Sequence, residues 1–82
     1  MGIFSKEPRF YPNCRPVQGS TAGRVVLECQ PQLHLPDGKV LTGERPMQIV
    51  LEKGRPPQIV DDGGTPEEMI GRLEKYIHKY NP

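Results

Sequence analysis

The C-terminal segment constrains the fold most, because its pattern is typical of only one kind of element. Apolar residues recur there at steps of three and four, which places them along one side of a helix. An isolated helix of about 15 residues is marginal in water, so this one needs an apolar surface to lie on. The apolar stripe consists of Met69, Ile70, Leu73, Tyr76, Ile77 and Tyr80.

The start of this helix is marked by its own residues. Thr65 is a favourable N-cap, and Pro66 suits the first helical position, where its missing N–H costs nothing. Glu68 follows Thr65 at the spacing of a capping box. We therefore predict a helix over residues 66–80 that begins with a capping box.

The middle of the chain alternates apolar and polar residues, which is typical of strands with one buried face. The first alternating run covers residues 24–35, and shorter runs follow around 39–43, 47–52 and 58–61. Pro31 interrupts the first run because proline cannot donate to a ladder, and the pattern leaves open whether it marks a bulge or a break. The predicted class is α+β, a small antiparallel meander of three to four strands with the C-terminal amphipathic helix packed on it.

The N-terminal segment predicts no regular element. Pro8, Pro12 and Pro16 recur every four residues, which excludes a helix and removes backbone donors. Small, flexible residues follow up to residue 23. We therefore expect an irregular, proline-rich arm and linker over residues 1–23, followed by a folded domain over residues 24–82.

The two cysteines, Cys14 and Cys29, bear on the compartment. The first residues lack the apolar run of a signal peptide, so the prediction is a cytoplasmic protein with two free thiols. A disulfide closing this interval would add about 3 kcal/mol if the protein were exported. The sequence also lacks an apolar stretch long enough for a membrane span, so we predict no membrane partner.

The sequence predicts no cofactor and no metal site. The side chains that could bind zinc do not form the close pairs that structural sites use, and a chain of 82 residues leaves little room for a catalytic pocket. A thiol- or metal-dependent enzyme is therefore only an alternative, with no catalytic residue assigned. The soft ligands considered are Cys14, Cys29, His34 and His78.

The leading hypothesis is a non-enzymatic protein-interaction module. It would act as an accessory subunit, assembly factor or regulator of a larger protein, or it would associate with itself as a homodimer. The expected contact combines an aromatic, basic arm, exposed edge strands and a partly apolar second sheet face. The predicted partner-binding residues are Arg9, Phe10, Tyr11, Arg15, Val26 and Val50.

A second hypothesis is a small nucleic-acid-binding protein that uses the same arm. Aromatic side chains can stack on bases while cations contact phosphates. Against this, eleven Lys and Arg are balanced by ten Asp and Glu, so bulk charge does not favour a polyanion.

Overall fold

The computed structural model describes residues 7–17 and 19–82. Within them it confirms the predicted α+β class, with two antiparallel sheets and one C-terminal helix. The helix, α1, spans Glu67–Ile77, and a 3₁₀ turn at His78–Tyr80 extends it. The strands are β1 (Arg9–Tyr11), β2 (Cys14–Pro16), β3 (Arg24–Cys29), β4 (Gln32–His34), β5 (Val40–Thr42), β6 (Met47–Glu52) and β7 (Gln58–Asp61).

One sheet has the order β1-β4-β5 and the other β2-β3-β6-β7. The division arises at Pro31, which splits the strand predicted over residues 24–35 into β3 and β4. On the neighbouring chain segment, residues 43–46 are likewise unpaired and separate β5 from β6. The Thr42 hydroxyl donates a hydrogen bond to the carbonyl oxygen of Pro31 at 3.2 Å. Pro31 therefore marks a break and not a bulge, and it accounts for more, shorter strands than the sequence predicts.

The arm is paired with the sheets over residues 9–16, where the sequence predicts an irregular segment. β1 pairs antiparallel with β4, and β2 pairs antiparallel with β3. The register of the β1–β4 pair continues without a shift into the β2–β3 pair, so β1 and β2 are one strand interrupted at Pro12. In that register Pro12 is opposite Pro31. Residues 1–6 and 18 of the predicted arm lie outside the described residues.

The arm prolines are compatible with a strand because of the direction in which their missing N–H groups would point. The Gln30 N–H donates to the Asn13 carbonyl oxygen at 3.2 Å. Further along the arm, the Val17 N–H donates to the Val26 carbonyl oxygen at 2.9 Å. Odd-numbered arm residues therefore bond to the sheet, and even-numbered ones turn their backbone groups outward. Pro12 and Pro16 are even-numbered, so they remove no bond from the ladder.

The predicted packing of the helix on the sheet is confirmed. The buried side of α1 consists of Met69, Leu73 and Ile77, each exposed by 2% or less. Because β3 and β6 pair in register, their odd-numbered side chains share the face that this helix covers. The core cluster is formed by Leu27, Cys29, Met47, Ile49, Leu51, Leu73 and Ile77.

The helix start differs from the predicted capping box. The helix has no side-chain cap, and the Thr65 hydroxyl, on a side chain that is only 6% exposed, has no hydrogen-bond partner among the described residues. This hydroxyl lies against Gly43, where an added Cβ would come within 2.6 Å of it. Close packing of the preceding loop against Thr65 therefore takes the place of the predicted cap.

Candidate interaction groove

Aromatic side chains gather where the arm meets the end of the helix. The chain has two Phe, three Tyr and no Trp, and four of these five side chains lie in this region. The Phe10 and Tyr76 ring centroids are 5.4 Å apart with their planes tilted by 39°. Tyr11 points to the other side of the arm strand and meets His34 edge-on at 5.0 Å. Successive residues of β1 thus place aromatic rings on both sides of one edge.

A groove of about 270 Å³ runs between this edge and the last turn of the helix. Tyr11 and Tyr76 are 41% and 45% exposed, so both rings are accessible to a partner. The Lys79 ammonium lies 5.2 Å from the centre of the Tyr80 ring, within reach of a cation–π contact. The groove is lined by Tyr11, Pro12, Asn13, Cys14, Tyr76, Lys79 and Tyr80.

Besides the strand pairing, two bonds attach Cys14 of the arm to its surroundings. The Tyr80 hydroxyl donates to the Cys14 carbonyl oxygen at 3.1 Å. Cys14 is also joined by a disulfide to Cys29, which is completely buried. The pairing of the arm is therefore reinforced by one hydrogen bond to the helix end and one covalent bond to the sheet.

The disulfide corrects the expectation of two free thiols. Cys14 and Cys29 are direct partners in the β2–β3 register, with Cα atoms 4.0 Å apart. They occupy a position whose backbone groups do not bond to each other, where opposed side chains come closest. Cysteines in this state supply no thiolate to attack a substrate or to bind a metal ion.

The structure separates the predicted contact residues into different places. Phe10 and Tyr11 belong to the aromatic region. Arg9 is exposed on β1, and Arg15 forms an ion pair with Glu28, opposite it in register, at 3.1 Å. These two arginines share the Tyr11 side of the arm strand, because the three residues are all odd-numbered.

Val26 and Val50 are opposite each other in the β3–β6 register, on the sheet face away from the helix. Val50 is 7% exposed and Val26 is half-buried. The loop after the arm lies over Val26, where the Ser20 hydroxyl accepts a hydrogen bond from the Val26 N–H at 3.1 Å. These two valines therefore do not belong to the aromatic groove, and they offer a partner little exposed surface.

Sequence reasoning missed Tyr76, Lys79 and Tyr80 as groove residues. The helical spacing predicts that Tyr76 and Tyr80 are buried with the rest of the stripe. Instead Phe10 of the arm packs against the Tyr76 ring, and Tyr76 remains 45% exposed. The available signal was the spacing of two tyrosines by one helical turn at the end of the chain, next to lysine.

A second cluster, beside the helix start, is structural. The Gly63 carbonyl accepts hydrogen bonds from the Glu44 and Arg45 N–H groups at 2.7 and 2.9 Å. Arg45 also contacts the Asp61 carboxylate at 3.1 Å. The Gly63 N–H and the Arg45 guanidinium hold the pKa of Asp61 below its ordinary value, and the same contact raises the pKa of Arg45. These interactions join the two loops.

Within residues 7–17 and 19–82, the structure contains no helix that is both long and apolar enough to cross a bilayer. Comparison of the chain with protein-family models, with curated proteins and with solved structures finds no match.

Proposed function

We propose that this protein is a non-enzymatic protein-interaction module and that the aromatic groove is its contact surface. The observation that supports the proposal is a groove lined by Tyr11 and Tyr76, two aromatic residues that are 41% and 45% exposed. Exposed aromatic side chains held rigidly are the residues that contribute most to protein interfaces, because they bury a large area at a low entropic cost. The module would serve as an accessory subunit, assembly factor or regulator of a larger protein.

A protein partner fits this groove better than a nucleic acid does. Lys79 is the cation that lines it, and Arg15 on the nearby sheet face is paired with Glu28. A nucleic-acid surface needs several unpaired cations that follow a backbone. The aromatic rings here outnumber the available positive charges.

The disulfide argues against the predicted cytoplasmic location. A disulfide between Cys14 and Cys29 persists in oxidising surroundings and is rare where thiols are kept reduced. We therefore propose that the module acts in a non-reducing setting. In that setting the arm stays attached to the sheet and the groove stays assembled.

Affinity capture from the native cell tests this function. The bait is the oxidised chain, compared with Tyr11→Ala, Tyr76→Ala and the control Val40→Ala, whose side chain is 46% exposed on β5. Circular dichroism first establishes that all four chains are folded. We expect one protein to be retained by the wild type and the control, and retained more than about tenfold less by the tyrosine variants, a loss of ~1.4 kcal/mol.

Salt washes and nuclease treatment distinguish the two macromolecules. A contact made mainly by aromatic rings should survive a rise from about 50 to 200 mM salt, whereas phosphate contacts lose affinity steeply over that range. Retention of nucleic acid that salt removes would contradict the proposal. Capture that is equal for the wild type and both tyrosine variants would also contradict it.

A further inference from the structure

The two outer edges of the four-stranded sheet differ in their capacity to pair with another strand. On the arm edge, the outward positions include Pro12 and Pro16, which have no N–H to donate, and the outward Cys14 carbonyl is already bonded to Tyr80. Prolines at outward positions are a known protection of sheet edges. The arm edge is therefore closed to a further strand.

The opposite edge, β7, lacks this protection at its centre. Lys53 donates to the Gly23 carbonyl at 3.0 Å, so odd-numbered residues of β6 bond to β3 and even-numbered residues bond to β7. Ile59 is opposite Ile49 in register, which leaves the Ile59 N–H and C=O directed away from the sheet. Ile59 is also 40% exposed, and Val60 beside it is 61% exposed.

An apolar groove of about 160 Å³ lies over this edge, between β7 and the helix. Pro57, Ile59 and Ile70 form part of its wall. An edge with free backbone groups and an apolar groove beside it has the two features that strand addition uses, since main-chain bonds give affinity and pockets accept side chains.

The two ends of β7 carry opposite charges, so they are complementary between two copies of the chain. Lys53 and Arg55 precede the strand, and Asp61 and Asp62 end and follow it. Two identical strands that run antiparallel bring the basic end of one beside the acidic end of the other. Asp61 is already paired with Arg45. Asp62 accepts a hydrogen bond from the Gly64 N–H at 2.9 Å but forms no ion pair within the described part of the chain, so its carboxylate can still meet a cation of a second chain.

We propose that a second copy of this chain pairs with β7, antiparallel and centred on Ile59. Each Ile59 N–H would donate to the Ile59 carbonyl of the other copy, and Arg55 of each copy would lie near Asp62 of the other. The two four-stranded sheets become one continuous sheet, and the apolar grooves beside the two edges meet. The extra residue in β7 at Val60 limits the pairing to a short segment, so the contact is weak. This surface is separate from the aromatic groove.

Light scattering over a concentration series tests the pairing. The chain mass is 9.2 kDa, and we expect the measured mass to rise toward that of two chains between about 10 μM and 1 mM. Ile59→Lys should remain monomeric over this range, and Val40→Lys, at a similarly exposed strand position, should behave like the wild type. A wild type that is monomeric throughout, or a control that dissociates like Ile59→Lys, would overturn the proposal.

Charge exchange provides a second test that does not alter the apolar edge. Arg55→Glu places an acid near Asp62 of the other copy and should weaken association. Adding Asp62→Lys to the same chain should restore it, and the absence of restoration would count against the antiparallel register. Ile59→Lys should still capture the partner of the aromatic groove, so failure of self-association and failure of the proposed function give different results.

Discussion

The Tyr80 hydroxyl donates a hydrogen bond to the Cys14 carbonyl oxygen at 3.1 Å, joining residues 66 positions apart. The bond links the end of the helix to the strand that bears the disulfide. It also satisfies a carbonyl that faces away from the sheet. The arm is thus fixed at the point where the aromatic groove is formed.

Replacing Tyr80 by Phe removes this bond and keeps the ring. We expect the free energy of unfolding to fall by about 1 kcal/mol, because the outward carbonyl loses its protein donor. Urea denaturation measures the change. Tyr76→Phe is the control, and since that side chain is 45% exposed, its effect should stay within about 0.5 kcal/mol. Equal effects of the two changes would show that the Tyr80 bond is not formed in solution.

The disulfide should contribute measurably to stability. Cys14 and Cys29 are 15 positions apart, and a closed loop of that length corresponds to about 3 kcal/mol in the chain-entropy model. We expect the oxidised chain to unfold at a higher urea concentration than the Cys14→Ala, Cys29→Ala double variant. Adding a reductant should destabilise the wild type and leave the double variant unchanged. A wild type that is insensitive to reductant would indicate that the bond is not formed.

Gly63 should tolerate no side chain. Its φ is +61°, and an added Cβ would collide with the Arg45 carbonyl oxygen. Gly54 also has a positive φ, +77°, but a Cβ there meets nothing within 4 Å. Gly54→Ala should therefore cost about 1 kcal/mol from backbone conformation alone. Gly63→Ala should cost clearly more, because the obstacle is backbone, and thermal unfolding of the two variants compares them. A smaller loss for Gly63→Ala than for Gly54→Ala would contradict the loop packing.

The lowered pKa of Asp61 predicts how the stability of the fold changes at acid pH. Its pKa is lowered in the folded protein, first by the Gly63 N–H and then by Arg45, from an ordinary value of 3.8. Its contribution is therefore present above the unfolded pKa and is lost as pH falls through the lower folded pKa. In Asp61→Asn, the free energy of unfolding should therefore fall less steeply as the pH is lowered, as measured by urea unfolding between about pH 5 and pH 2. An unchanged acid limb would exclude this carboxylate as a contributor.

The sequence predicts the helix and the middle strands because their signals are local. The spacing of Met69, Leu73 and Ile77 identifies the buried helix face without knowledge of its partner, and the alternation of β3 and β6 identifies the sheet face. Both depend only on the geometry of a single element.

The arm and the groove could not be predicted in the same way, because they depend on pairing between distant residues. Pro12 and Pro16 indicate missing donors, but only the register shows that these donors would point outward. The same register brings Cys14 opposite Cys29. The disulfide therefore depends on an arm strand that the proline content of the sequence does not predict. Tyr76 is exposed because the arm covers it only partly, which no helical periodicity reveals.

The most direct test of this account is a nuclear Overhauser measurement between the Phe10 and Tyr76 rings in the oxidised protein in solution. With ring centroids 5.4 Å apart, their edge protons should give cross-peaks, and the odd-numbered arm amides that bond to the sheet should exchange slowly. Absence of these cross-peaks, together with arm amides that exchange as fast as an unfolded peptide, would mean that the arm is not paired and that the groove does not exist.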